Sequence, residues 1–276
     1  MKTSSDPTDT FIGIFDSGVG GLSVLRAIHA QIPEEPILYV ADQRHVPYGS
    51  RPLEQVRSFA NGVSRFLLTK GAKLIVVACN TASAAALHEL RQTFPDTPFV
   101  GMEPAVKPAA EYTKSGVVGV LATPATFQGA LYTSVLERFA NGVTVLQNTC
   151  PGLVRQIELG DLDTPITRSI LEEALQPMLA KGIDTVVLGC THYPFVIPLI
   201  EQICGEHVRV IDPAPAVARQ TRKVLDSYKG KSKAGVKTKV QFYTSGSIDK
   251  FQSILPKLID ENGDVQQVVW NDLELV

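Results

Sequence analysis

One frame occurs twice in the chain: a Lys-Gly pair, an aliphatic run, and a cysteine followed by small polar residues. Lys70-Gly71 leads into Leu74-Ile-Val-Val-Ala-Cys79-Asn80-Thr81. Lys181-Gly182 leads into Thr185-Val-Val-Leu-Gly-Cys190-Thr191-His192, 111 positions later. A short continuous run of β-branched and aliphatic residues bounded by turn residues reads as a buried strand. Each copy therefore predicts a strand that delivers one thiol at the point where it runs out.

Other anchors repeat in the same order. Ile12-Gly13-Ile14-Phe15-Asp16-Ser17 is echoed by Val118-Gly119-Val120-Leu121-Ala122-Thr123, and Met102-Glu103-Pro104-Ala105 by Ile211-Asp212-Pro213-Ala214. So long a period marks a doubled half, because solenoid repeats run about 20–50 residues.

Strands and helices alternate within each half. Strands are predicted at 11–15, 36–42, 74–78, 98–102, 117–122, 143–147, 185–189 and 208–212, with late strands at 240–244 and 265–270. Amphipathic helices fall between them, the longest at 53–70, 81–94 and 213–228. This pattern predicts an α/β fold of two pseudo-symmetric domains, each a mostly parallel sheet flanked by helices, with the active site in the cleft between them. The repeat ends near Pro213, so the remaining chain is expected to return to the first domain. That gives residues 1–104 plus 214–276 as a discontinuous first domain and 105–213 as the second. The polar stretch 230–235 is predicted to be a flexible break, and the lysines of 229–237 a solvated linker.

Parallel sheets bind ligands beyond the carboxyl ends of their strands. Asp16, Cys79, Thr123 and Cys190 all fall at such ends, and two facing sheets would set the two cysteines on opposite walls of one pocket. A thiol lowered by a helix N-terminus or a cation acts as a base near neutral pH. One thiolate would take a proton from a carbon while the facing thiol returns one to the other side, leaving the mirror image. Asn80, Thr81, Thr191 and His192 begin the elements that follow and suit a carboxylate, whose stabilisation also favours a carbanion-like transition state. Asp16 would raise a neighbouring thiol rather than lower it, so it would act as a proton acceptor or hydrogen-bond partner.

Plainer readings compete with each of these. A lone cysteine ending an apolar strand is usually inert core, and only the matched frames set Cys79 and Cys190 apart. Cys150 and Cys204 read as structural, as do His29, His45, His88 and His207. Asp16 would serve equally as a helix N-cap. The turn Asp16-Ser-Gly-Val-Gly-Gly21 is neither GxGxxG nor a P-loop, and its glycines are expected to allow a tight turn and close helix packing.

Composition removes several function classes. Lys plus Arg number 26 against 28 Asp plus Glu, a formal charge of −2 with no long basic run, which argues against nucleic acid or an anionic membrane as partner. The 4 cysteines form no CxxC pair, so no metal site is expected. The first ten residues lack an apolar signal core and no long apolar stretch follows, so a cytoplasmic location is expected.

At these residues the chain resembles the glutamate racemases of the aspartate/glutamate racemase family. The matching segments are Gly13-Ile-Phe-Asp16-Ser17-Gly-Val-Gly-Gly21-Leu, Pro47-Tyr48-Gly49, Ala78-Cys79-Asn80-Thr81-Ala82-Ser83 and Gly189-Cys190-Thr191-His192-Tyr193-Pro194. The resemblance implies a cofactor-independent racemase that supplies D-glutamate for peptidoglycan, and a homodimer. It implies that Cys79 and Cys190 exchange protons with the substrate, assisted by Asp16 and His192 respectively. It places Asp16, Ser17, Tyr48, Gly49, Asn80, Thr81, Thr191 and His192 on the substrate, with Thr123 a minor contact and Glu158 a carboxylate near the second thiol. An aspartate racemase is disfavoured because His192 stands where those enzymes commonly carry Glu. Two rivals from other classes are a cysteine hydrolase using Cys190 and His192, for which residues two apart at a strand end are expected to be poorly placed, and a two-lobed binding protein for an acidic ligand.

Overall fold

A computed structural model describes residues 10–227, 240–261 and 263–276. The stretches 230–235 and 229–237 lie outside the described residues.

The aliphatic runs form the strands. Phe11–Asp16 is β1, Ile37–Ala41 β2, Ala72–Val77 β3 and Phe99–Gly101 β4. Val117–Ala122 is β5, Thr144–Asn148 β6, Thr185–Gly189 β7 and Arg209–Ile211 β8. Val240–Thr244 is β9 and Val265–Gln267 β10. The first sheet runs β10-β9-β2-β1-β3-β4 and the second β6-β5-β7-β8. Every neighbouring pair in both sheets is parallel.

The duplication is visible in this order, since β2-β1-β3-β4 and β6-β5-β7-β8 are the same arrangement. The central strands β1 and β5 are buried from their second residue onward. Asp16 and Ala122, which echo each other in the sequence, both close a central strand. Gly71 and Gly182 share a role as well: each follows a helix, Leu53–Thr69 or Pro165–Leu179, with φ of 102° and 80°. The left-handed conformation, which glycine adopts without steric cost, stops the helix and turns the chain into the cysteine strand.

β9 and β10 extend the first sheet beyond β2. The helix Ala214–Ser227 packs on the helix Leu22–Gln31 that follows β1. Leu22, Val24, Leu25 and Ile28 of that earlier helix are fully buried, each worth about 2 kcal/mol.

The predicted strand 265–270 divides. β10 ends at Gln267, and Trp270–Asn271 pairs antiparallel with Glu274–Leu275 in a separate hairpin. Val269 exchanges both backbone hydrogen bonds with Val276 rather than with the sheet. An alternating apolar pattern is common to both outcomes.

Candidate active site

The carboxyl ends of the central strands of the two sheets face each other. One pocket between them is lined by Asp16, Ser17, Tyr48, Gly49, Cys79, Asn80, Thr81, Thr123, Cys190, Thr191 and His192, together with Pro47 and Val154. Every substrate-contact residue expected from the sequence is thus on its wall, and Glu158 stands directly behind His192. The space left among these side chains is about 10 Å³, room for no more than about one water molecule, so this closed arrangement does not hold an amino acid.

Cys79 is the N-cap of the helix Asn80–Thr93, and its sulfur accepts the Ala82 N–H at 3.4 Å. That contact favours a thiolate, but burial and the neighbouring Asp16 outweigh it and push the thiol well above its ordinary value. The expected lowering is therefore absent on this side. Asp16 is itself raised by burial, against the opposing pull of His192 and Cys79. Its Oδ2 accepts the N–H groups of Gly18 (3.3 Å) and Gly21 (3.0 Å), so it organises the turn without being the N-cap of the following helix.

The second thiol has a different partner. Cys190 Sγ lies 3.7 Å from His192 Nδ1, and His192 Nε2 lies 2.6 Å from Glu158 Oε1. The two side chains are in contact, nearer than the poor geometry expected of a hydrolase pair two residues apart at a strand end. Cys190 O accepts the Tyr193 N–H, and this turn brings the imidazole back over the sulfur. Burial opposes charge on His192, but the hydrogen bonds to Cys190 and Glu158 prevail and raise it well above its ordinary value. Burial likewise works against the Glu158 carboxylate. The His192 hydrogen bond and charge, with donors from Gln43 and Val19, overcome it and hold Glu158 low.

The turn glycines have a use that the sequence reading missed. A Cβ on Gly18 would fall 1.9 Å from Glu158 Oε1, and one on Gly20 would fall 2.3 Å from His192 Nδ1. Neither has a positive φ. They are glycines because the second lobe's acid–base pair docks on them.

Other ties cross the cleft. Thr81 Oγ1 meets Thr123 Oγ1 at 2.8 Å, and Ser23 Oγ donates toward Thr191 O at 2.9 Å. In contrast, Asp16 Oδ1 and both amide atoms of Asn80 are buried without a hydrogen-bond partner among the described residues. Buried polar atoms are rarely left so, and at a pocket wall they mark where a ligand's polar groups belong.

Three residues of this neighbourhood carried no sequence signal. Gln43 donates to Glu158 Oε2 at 3.0 Å. Asp42 accepts Tyr48 Oη (2.6 Å), Ser245 Oγ (2.6 Å) and Trp270 Nε1 (2.7 Å) and meets His45 Nδ1 at 2.9 Å, which fixes Tyr48 from behind. Val154 adds an apolar wall. Cys150 is buried, its thiol pushed up to about 12 by burial, and Cys204 to about 11. Among the described residues no cluster of His, Cys, Asp and Glu is arranged to hold a metal, and no helix is long and apolar enough to cross a membrane.

Known proteins are similar to this chain in sequence and fold. The family described as Asp/Glu/Hydantoin racemase matches residues 12–221. A glutamate racemase of Pseudomonas aeruginosa PAO1 is 51% identical over 247 residues, covering 90% of this chain and 93% of that one. The crystal structure of glutamate racemase isoform RacE1 from Bacillus anthracis aligns with a TM-score of 0.84 at 34% identity, over 97% of this chain and 99% of that one. The Escherichia coli glutamate racemase, solved with L-glutamate and the activator UDP-MurNAc-ala, aligns with a TM-score of 0.83 at 30% identity, over 94% and 98%. With two strand-end thiols of matching fold context facing one pocket, the chain belongs to the Asp/Glu/Hydantoin racemase family, and within it to the glutamate racemases.

Proposed function

We propose that the protein interconverts L- and D-glutamate without a cofactor, and that its D-glutamate serves peptidoglycan synthesis. The observation that carries this reading is the convergence of Cys79 and Cys190, one from each sheet, on a single pocket. One sulfur removes the Cα proton and the other protonates the opposite face, so the carbon inverts.

The two halves are chemically unlike, which fits an asymmetric substrate. On the second side, the Cys190–His192 pair shares a proton: either the thiol donates to Nδ1, or protonated Nδ1 donates to the thiolate. Glu158 supports the charged form. On the first side, Cys79 and Asp16 together resist a second negative charge. The substrate ammonium supplies the missing positive charge there, and the unpartnered Asp16 Oδ1 and Asn80 amide are the groups placed to receive it and a carboxylate. Ser17, Tyr48, Gly49, Thr81, Thr123 and Thr191 complete the contact surface, and the backbone N–H groups beyond each cysteine favour an anion.

A cysteine hydrolase accounts for Cys190, His192 and Glu158 but leaves Cys79 and Asp16 without a role. The domain division, 1–104 plus 214–276 against 105–213, belongs to the same reading and is supported by β9 and β10 joining the first sheet. A cytoplasmic location and a homodimer are further parts of it, the dimer resting on family membership alone.

The deciding experiment is circular dichroism of D-glutamate in heavy water with the native protein and with Cys79→Ala and Cys190→Ala. Each variant is expected to abolish racemisation, while native protein incorporates deuterium at Cα. Near-native racemisation by either variant sinks the two-thiol mechanism.

A further inference from the structure

Gln43 sits on the first lobe just beyond β2, yet its side-chain amide reaches an acid–base group of the second. Its polarity is set by its neighbours. The Gly246 N–H donates to Thr244 Oγ1 at 3.0 Å, which leaves the Thr244 hydroxyl proton to donate to Gln43 Oε1 at 2.9 Å. The amide's N–H then points the other way, to Glu158 Oε2 at 3.0 Å. Glu158 Oε1 takes the Val19 N–H at 2.7 Å and the His192 Nε2 proton at 2.6 Å, and His192 Nδ1 faces Cys190. A line of hydrogen bonds thus runs from the end of β9 to the second thiol, with Thr244 donating to Gln43 and Gln43 to Glu158. Gly246 lies against Gln43, where a Cβ would meet Gln43 Cβ at 2.8 Å.

We propose that Gln43 is a positioning residue through which the first lobe sets the Glu158–His192 pair, so that the Cys190 half of the site is complete only when the lobes are closed. Two of the four hydrogen-bond ends on Glu158 and its partner come from the first lobe, from Gln43 and from Val19. Parting the lobes for substrate entry removes both donors and leaves Glu158 with His192, its partner from the same lobe. Closure over the substrate restores them at the moment when the thiol must exchange a proton. The titratable groups facing the pair are Asp16 and Tyr39 on the first lobe and Cys190 on the second, with Tyr193 beyond Cys190, Cys79 beyond Asp16 and Lys257 against Gly160 past the end of the helix Leu153–Glu158.

This inference rests on the racemase reading, and the test separates the two. Gln43→Met keeps the bulk and removes the donor. It is expected to lower kcat/KM about tenfold, with the acid limb of the pH profile moved upward because Glu158 is protonated more easily. Gln43→Glu is expected to be worse at neutral pH, where two carboxylates oppose each other, and to recover toward native activity as pH falls and the new carboxyl can again donate. Thermal unfolding of both variants monitors folding. If both keep the native pH profile and a kcat/KM within about twofold while Cys79→Ala and Cys190→Ala are inactive, the role of Gln43 is overturned and racemisation stands. If the cysteine variants also racemise, the reading beneath it fails first.

Discussion

Thr81 Oγ1 and Thr123 Oγ1 meet at 2.8 Å, although Thr81 stands on the helix after β3 and Thr123 follows β5 on the opposite lobe. Thr123 Oγ1 also meets Thr126 Oγ1 at 3.0 Å and caps the helix Pro124–Gln128 by accepting the Thr126 N–H. One hydroxyl, on the residue after β5, therefore starts a helix and ties the two lobes across the cleft.

Thr123→Val keeps the shape and removes that hydroxyl. It is expected to cost about 1 kcal/mol of stability through the lost cap and to raise KM, because closure over the substrate has lost a tie. Thr123→Ser should retain both properties. Calorimetry and initial rates check this, and an unchanged KM in the valine variant would show that the tie does not contribute to closure.

The first thiol offers a test of electrostatics. Burial and the Asp16 charge both oppose a thiolate at Cys79, so Asp16→Asn removes one of the two while keeping an acceptor for the Gly18 and Gly21 N–H groups. The pH midpoint for alkylation of Cys79, followed by mass spectrometry, is expected to move down. Racemisation should nevertheless fall by about a hundredfold, since a proton acceptor is lost with the charge. A midpoint that stays in place would mean that the carboxylate does not act on the sulfur.

Much of this site was legible before any coordinates. The doubled Lys-Gly frame located both thiols, because a buried strand and its end are dictated by local sequence pattern; that its glycines stop the preceding helices is visible only in the structure. Strand ends place Asp16 and Thr123 beside the two cysteines, while their roles toward the substrate come from the family resemblance. Glu158 was not: it sits on a short helix with no periodic signal, and only family resemblance pointed to it. Gln43 and Asp42 were invisible because their importance comes from partners far away in the chain, Glu158 and Thr244 for one, Ser245 and Trp270 for the other. The closeness of Cys190 and His192 follows from the resemblance and not from their spacing, because sequence separation does not reveal which way a turn swings.

Asp184, at the start of β7, stabilises the second lobe far from the thiols. Its carboxylate accepts Thr113 Oγ1 (2.6 Å), the Lys114 and Ser115 N–H groups (2.6 and 2.8 Å) and Thr185 Oγ1 (3.0 Å). Partial burial works the other way, yet these donors lower its pKa from 3.8 to about 2. A depressed carboxylate contributes stability above its unfolded value and loses it as pH falls through the folded one. Asp184→Asn is expected to cost about 1 kcal/mol near neutral pH, after allowance for solvent screening of an exposed group. The gap from native should close as pH drops from 3.8 toward 2, and activity should not change. Denaturant titrations across that range check it, and a pH-independent gap would assign the effect to shape rather than charge.

Gly20 and Gly182 make a final contrast. A methyl group on Gly20 would lie 2.3 Å from His192 Nδ1 and 2.6 Å from Cε1, in a ring that is itself buried and held by Glu158. The ring cannot yield without leaving Cys190, so Gly20→Ala is expected to reduce kcat by about a hundredfold or more, a consequence of misplacing a reacting group by an ångström. On Gly182 a methyl group meets nothing within 4 Å, but φ is 80°. Gly182→Ala should therefore cost about 1 kcal/mol of stability through backbone strain and leave kcat alone. Measuring kcat and thermal unfolding for both separates the two uses of glycine, close approach at the cleft and a left-handed turn behind it. Full activity in Gly20→Ala would mean that His192 need not sit where it does for the second thiol to exchange its proton.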